Sequence, residues 1–285
     1  MDKAKFRFNK SPLQDFEDIS YLPIELNELE DIKYILSSAP RSKVLLTLTS
    51  NEPCTLETFR LLTKSPSSNI LKAIKDLEKL NLVKRHSKYF CLSSKGKILG
   101  LNFLKLVENG YIIKTKSFYL EHKLNQIPYG YLKYLYLFKN SEYLSSTDKD
   151  LAKPTRTYLK SIKSRKNLNI VLPIFSPIHL DEYFKSANDG GCKIEIITTE
   201  KILDSIFNNY KEEIAKTNGN IHFFKTDIDL NVFLTSSQDL LMLSLFYWDG
   251  QYDDSNILLA KNKKACKWGL SLFNHFKKNA SIVDI

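Results

Sequence analysis

Between residues 55 and 94 the spacing of apolar positions along the chain changes twice. Thr55-Leu56-Glu57-Thr58-Phe59-Arg60-Leu61-Leu62 reads as a short amphipathic helix, and Thr63-Lys64-Ser65-Pro66 is a polar break. A longer helix follows over 67–80, with Ile70, Ile74, Leu77 and Leu80 on one face. From 82 to 93 the period shortens to that of two strands: Leu82 and Val83 lie on one side of a basic tip, Tyr89 and Cys91 on the other.

Helix, turn, helix and hairpin in that order predict a winged helix-turn-helix. Upstream, residues 28–38 carry Leu29, Ile32 and Ile35 at helical spacing, Pro40 marks a break, and 41–49 reads as the first helix of the module through Val44, Leu45 and Leu48. Thr55 is expected to cap the next helix, with Glu57 in its first turn opposing the dipole. Pro66 suits the first position of the helix after it, preceded by Ser65.

Downstream, 94–109 predicts a helix closed by Asn109-Gly110, and 111–124 and 127–138 supply further apolar, partly helical segments. From residue 152 the pattern changes to strands at 167–175, 193–198 and 221–225, alternating with helices at 155–163, 178–188 and 200–216. That alternation predicts an α/β domain with a partly parallel sheet. Three consecutive apolar runs, 231–236, 240–248 and 256–259, add antiparallel strands before a last helix over 263–278. The fold class is therefore a mixed α+β and α/β chain: a winged helix-turn-helix with an N-terminal extension over 1–110, a helical connector over 111–150, and an α/β domain with a mixed sheet over 151–285. Apolar and aromatic residues in the helices between Lys95 and Phe138 exceed what a winged module of this size buries, which predicts a homodimer held partly by those helices.

Charge sharpens the picture. The formal net charge is +10, and residues 41–123 hold 16 Lys+Arg against 6 Asp+Glu, whereas residues 124–285 hold 21 against 18. No acidic residue occurs from 79 to 107. A basic excess confined to the winged segment is the footprint of a polyanion partner, and double-stranded DNA is the expectation. Cysteines 54, 91, 192 and 266 form no C-x-x-C pair and have no histidine at ligand spacing, so no metal, cofactor or disulfide framework is predicted. With no N-terminal signal and no apolar run of about 20 residues, the expectation is a cytoplasmic protein with no membrane partner.

The candidate DNA-binding residues follow from position. Ser67, Ser68 and Asn69 stand at the start of the second motif helix, where side chains reach base edges and phosphates, and Lys72 and Lys75 lie on the face opposite Ile70, Ile74 and Leu77. Arg85 and Lys88 flank the hairpin tip, within reach of phosphates or a minor-groove edge. A run of lysines on a helix is by itself a solvated face; here a serine-rich start and a basic hairpin accompany it.

In the C-terminal region, Asp249-Gly250 is a turn signal that puts Tyr252 and Asp253 at the mouth of a hairpin. Two readings of these residues stay open: polar groups of a pocket for an unidentified small-molecule effector, or a structural hydrogen bond. Gly269, inside the last helix, costs about 1 kcal/mol relative to alanine and so implies close packing.

A phosphodiesterase of phospholipase D type is a second class of function. His86-Ser87-Lys88 spells the opening of a phospholipase D signature, but Ser93 stands where its aspartate belongs. His275 and Lys277 form one further H-x-K, while His179 and His222 are followed two residues later by Asp181 and Phe224. No paired signature, Walker loop or G-x-G-x-x-G is present, so catalysis is not predicted. A winged module that binds RNA or another protein is a third reading.

Several strings resemble those of archaeal winged-helix transcriptional regulators of methanogenesis-regulator type. They are Leu77-x-x-Leu80 with Leu82-Val83, Tyr89-x-x-Leu92-Ser93-x-x-Gly96, Ile127-Pro128, Lys193-Ile194-Glu195-Ile196-Ile197-Thr198, Asp249-Gly250-x-Tyr252-Asp253, and Lys267-Trp268-Gly269-x-x-Leu272-Phe273. The resemblance spans roughly residues 30–278. It implies sequence-specific DNA binding, transcriptional control, and a C-terminal regulatory (sensor) domain distantly similar to phospholipase D.

Overall fold

The computed structural model describes residues 26–115 and 117–283, which divide at residue 110 into two compact units. The first contains α1 (Leu26–Leu36), α2 (Ala39–Asn51), β1 (Cys54–Thr55), α3 (Leu56–Thr63), α4 (Ser67–Lys79), β2 (Val83–His86) and β3 (Tyr89–Leu92). Its last helix, α5 (Ser94–Thr115), starts in this unit and runs past the division. The hairpin β2–β3 turns through Ser87-Lys88, and β1 adds a third strand, in the order β1-β3-β2. This is a winged helix-turn-helix.

Local chemistry explains its boundaries. Ser38 caps α2 and places Pro40 in the first turn, so the proline opens a helix where the sequence suggested only a break. Thr55 and Thr58 form a reciprocal capping box on α3, and Lys64 ends that helix in the left-handed conformation. Val44, Leu45 and Leu48 of α2 bury against Phe59 of α3 and Ile70, Ile74 and Leu77 of α4. Each large apolar side chain so buried contributes about 1.5 to 3 kcal/mol.

The junction between wing and α5 rests on one serine and one glycine. Ser93 Oγ donates to Asn81 O at 2.6 Å and accepts from Gly96 N at 3.0 Å, while Ser93 N donates to Leu82 O. A Cβ on Gly96 would lie 2.0 Å from Leu82 O, so only glycine lets the helix pass this close to the backbone. Here α5 does not stop at Asn109-Gly110 as the sequence suggested. The helix continues through Gly110 to Thr115, and Ile112 in its last turns is fully buried.

The second unit is built on an eight-stranded sheet. Its strands are β4 (Glu142–Ser145), β5 (Asn167–Val171), β6 (Lys193–Thr199), β7 (Ile221–Thr226), β8 (Val232–Ser236), β9 (Leu241–Leu245), β10 (Asn256–Ala260) and β11 (Ser281–Val283). Their order is β11-β7-β6-β5-β8-β9-β10-β4. β5, β6 and β7 are parallel, and every other pairing is antiparallel.

The helices of this unit are α6 (Tyr129–Leu132), α7 (Lys153–Ile162), α8 (Pro177–Gly190), α9 (Glu200–Asn209), α10 (Lys211–Lys216) and α11 (Lys263–Lys277). The inner strands β8, β9 and β10 are buried on both faces, and alternation sorts their residues. Phe233, Met242, Ile257 and Leu259 join α7 to α10 in one core; Leu234, Leu243, Leu258 and Ala260 join α11 in the other. Gly269 of α11 sits where a Cβ would meet Leu241 Cδ1 at 2.4 Å, which is the close approach its position implied.

Two expectations are corrected here. Residues 111–150 are not a separate helical connector: Glu142–Ser145 pairs with β10 as the edge strand, and Phe118, Tyr119, Ile127, Leu135 and Phe138 enter the core beneath α11. Among the described residues after α5 ends at Thr115, a four-residue helix and two 3-10 turns, Ser117–Tyr119 and Leu135–Phe138, punctuate this stretch. The single helix expected over 200–216 breaks at Tyr210, whose backbone leaves the helical region while its hydroxyl donates to Asp181 at 2.8 Å and its ring stacks on Phe184.

Candidate nucleic-acid interface

The position of α4 is set from its buried side. Arg41 of α2 places Nη1 3.1 Å from Asp76 Oδ2 of α4, Nη2 donates to Tyr34 O at 2.6 Å, and its guanidinium lies 3.6 Å from the Tyr34 ring centroid. This clamp neutralises Asp76, an acid within the basic helix, and joins α1, α2 and α4. Sequence reading assigned Arg41 no role beyond starting a helix; its partner lies 35 residues away and nothing local marks it.

On the outer side, Ser68, Asn69, Lys72, Lys75 and Lys79 are exposed, and Ser67 is half-buried. Among the described residues the side chains of Ser67, Ser68 and Asn69 make no hydrogen bond within the chain. Pro66 proves to be the N-cap, not the first helical residue; it offers no side-chain cap, and Ser65 bonds back to Thr63 O instead. The N-terminal turn of α4 thus carries the positive end of the helix dipole, free polar side chains and no acid.

The wing is basic and short. Lys84, Arg85, His86 and Lys88 are all exposed. Arg85 Nε donates to Ser87 O at 3.1 Å, and its guanidinium lies 5.6 Å from the Phe90 ring, so the charge is held at the turn; Lys88 Nζ lies 5.5 Å from the Tyr89 ring. The seven candidate residues therefore sit in one unit and, with the exception of Ser67, are exposed.

Tyr252 and Asp253 do not stand open at a hairpin mouth. Asp253 is 1% exposed; its carboxylate takes bonds from Ser255 N, Asn256 N and Asn256 Nδ2, and its Oδ2 lies 2.7 Å from His122 Nε2. The other ring nitrogen of His122, Nδ1, bonds to Phe118 O, and the ring stacks on Tyr247. A carbonyl on one side and a carboxylate on the other both accept from protonated ring nitrogens, so these partners favour the imidazolium form of His122. Burial lowers the His122 pKa, but the bonds to Asp253 and Phe118 outweigh it and raise it above 6.5. For Asp253 burial raises the pKa, and the bonds from His122, Asn256 and Ser255 bring it below 3.8. Tyr252 packs against Phe233 and Phe246 with its hydroxyl pKa raised by burial.

His122 escaped the sequence reading because its acid lies 131 residues away. Beside it lies a polar cavity of about 280 Å³ lined by Thr115, Glu121, His122, Tyr143, Ser145 and Asn256 among others. Among the described residues no three His, Cys, Asp or Glu side chains gather as a metal site. The H-x-K of α11 is likewise dispersed: Lys277 Nζ bonds Glu195 Oε2 at 2.6 Å, and burial and Lys278 lower the His275 pKa. Among the described residues no helix is long and apolar enough to cross a membrane.

Comparison with known proteins finds two family profiles. "Methanogenesis regulatory protein FilR1, N-terminal domain" matches residues 29–109, and "Methanogenesis regulatory protein FilR1, middle domain" matches residues 151–279. The curated methanogenesis regulatory protein FilR1 of Methanothrix harundinacea (strain 6Ac) is 24% identical over 268 residues, covering 91% of this chain and 59% of that protein. The chain thus spans about 59% of the length of that relative. Among solved structures, the archaeal chromatin protein TrmBL2 aligns at 12% identity and TM-score 0.40, over 90% of this chain and 98% of that one. Nuc of Salmonella typhimurium, a phospholipase D family member, aligns at 11% identity and TM-score 0.38, over 51% of this chain and 98% of that one.

Proposed function

We propose that this chain, which belongs to the methanogenesis regulatory protein FilR1 family, is a transcriptional regulator that reads duplex DNA with the N-terminal turn of α4 and steadies itself on the backbone with its wing. The observation that carries this reading is the outer face of α4, where Ser68, Asn69, Lys72 and Lys75 are exposed and the motif and charge excess coincide. Ser67, Ser68 and Asn69 would meet base edges, Lys72 and Lys75 phosphates, and Arg85 and Lys88 the backbone or a minor-groove edge.

The α/β unit takes the role of sensor in this reading, with the polar cavity beside His122 as the place for a small polar effector. A second copy of the chain would pair on α5, where Ile98, Leu101 and Leu106 are 54% to 67% exposed. Phe118, Tyr119, Ile127, Leu135 and Phe138, beyond α5, are spent on the unit's own core, so the dimer reading rests chiefly on the exposed face of α5. Sedimentation equilibrium tests it: a concentration-independent mass of 33.0 kDa with and without DNA rules pairing out.

The function is tested by footprinting the purified protein on duplex DNA upstream of its own gene, followed by competition with bulk DNA and with RNA. A regulator protects a discrete site and is displaced by neither competitor at equal mass. Equal competition by all three would make it a general polyanion binder and overturn the reading.

A further inference from the structure

The α/β unit carries a charged stripe that the winged motif leaves unexplained. From residue 151 to residue 180 there are six Lys and Arg and no Asp or Glu, in a region whose overall charge is nearly balanced. Lys153, Arg156, Lys160 and Lys163 lie at i, i+3, i+7 and i+10 along α7 and its C-cap, on one helical face, and all four are exposed. The opposite face, Pro154, Tyr158 and Ile162, is buried against the sheet.

Stability of α7 does not account for this arrangement. Lys153 and Arg156 occupy the N-terminal turn, where positive charge opposes the helix dipole; the turn itself holds no acid, and Ala152 provides no side-chain cap. Two of the four charges meet carboxylates, Arg156 with Asp150 and Lys163 with Glu182 at 3.7 Å. Both pairs have an exposed cation, and such surface pairs hold weakly enough for a phosphate to replace them. Among the described residues Lys153 and Lys160 meet no carboxylate.

Shape selects the partner. At 1.5 Å per residue the stripe extends about 15 Å, the axial length of about four phosphates of one strand in duplex DNA. A convex helix face with hydroxyls between its cations and its large apolar residues turned inward does not enclose a metabolite and offers nothing to insert into a lipid surface. We propose that the outer face of α7 is a second, sequence-independent contact with the DNA backbone, contributed by the α/β unit. The inference rests on the DNA-binding reading above.

The test uses the full chain in salt-series titrations on a duplex of about 40 base pairs, operator and scrambled, chosen to exceed a single helix-turn-helix footprint of about one helical turn per half-site. A variant combining Lys153→Gln, Arg156→Gln, Lys160→Gln and Lys163→Gln should reduce the slope of log K against log salt by about 3 to 4 on both duplexes alike. Lys160→Gln alone should reduce it by about 1, which keeps the test valid if the combined variant folds poorly. Asn69→Ala, measured alongside, should weaken operator binding only. An unchanged slope in both glutamine variants, with the Asn69→Ala effect present, overturns this inference and leaves the winged site standing. No effect from Asn69→Ala with the slope reduced would keep the stripe and remove the winged reading. A slope reduced for structured RNA but not for duplex DNA would overturn the proposal in favour of an RNA contact.

Discussion

The outer face of α4 and the His122–Asp253 pair hold polar groups in opposite ways. On α4, Ser68, Asn69 and the lysines are exposed, and the side chains of Ser67, Ser68 and Asn69 take no hydrogen-bond partner from the described residues. Asp253 and His122 are buried, and each has its bonding capacity taken up by named groups. A buried charge without partners would be too costly to keep, so the second arrangement has to be complete within the chain. Exposed groups at a helix start bear no such penalty and remain available to something outside. The contrast separates residues that make the fold from residues the fold displays.

Removing one side of the closed pair should have the largest effect. Asp253→Ala strips His122, Ser255 N, Asn256 N and Asn256 Nδ2 of their buried acceptor and removes the charge that holds the proton on His122, and chemical denaturation should show a loss of about 3 to 5 kcal/mol. DNA affinity below the melting transition should stay unchanged; a specific loss of operator binding with stability intact would mean that Asp253 is a displayed residue after all. A mutation in the winged unit comes next. Gly96→Ala forces a Cβ onto Leu82 O and should cost about 3 kcal/mol, with operator and random DNA lost together as the wing shifts.

Asn69→Ala sharpens the other side of the comparison. It should leave the melting temperature unaltered and cost about 1 to 3 kcal/mol on the operator with little change on random duplex, since only a base contact separates the two. Equal loss on both would turn Asn69 into a phosphate contact.

The pH dependence of stability distinguishes the regions again. His122 has a raised pKa, so its contribution is fully present below pH 6.5 and fades as pH rises through the folded value; Asp253 has a lowered pKa, so its contribution is present above pH 3.8 and fades as pH falls through the folded value. Thermal melts from pH 5 to pH 9 should therefore show an alkaline loss of stability, and His122→Ala should flatten it. A wild-type profile without that loss would contradict the imidazolium.

The smallest effect belongs to the wing. Arg85→Ala or Lys88→Ala should lower the salt slope by about 1 on any duplex, through one counterion fewer released.

Much of this was legible in the chain because its cause is local. Helical spacing of Ile70, Ile74 and Leu77, the Thr55 cap and the basic hairpin tip over 84–88 each depend on neighbours within a few positions, and they determine the winged motif and which face of α4 is left outside. The same holds for the strands buried on both faces, whose continuous apolar runs announce a covered sheet. Tertiary structure decided the rest, because it depends on partners far along the chain. Glu142–Ser145 becomes a strand only through β10, more than a hundred residues later, and is too short and too polar to be read alone. Arg41 finds Asp76, and His122 finds Asp253, only after folding has brought them together. The sequence could leave Asp253 as either a pocket group or a structural bond; its burial beside a histidine 131 residues away is what made it structural, since a carboxylate excluded from water is retained only where the fold supplies its charge and its donors.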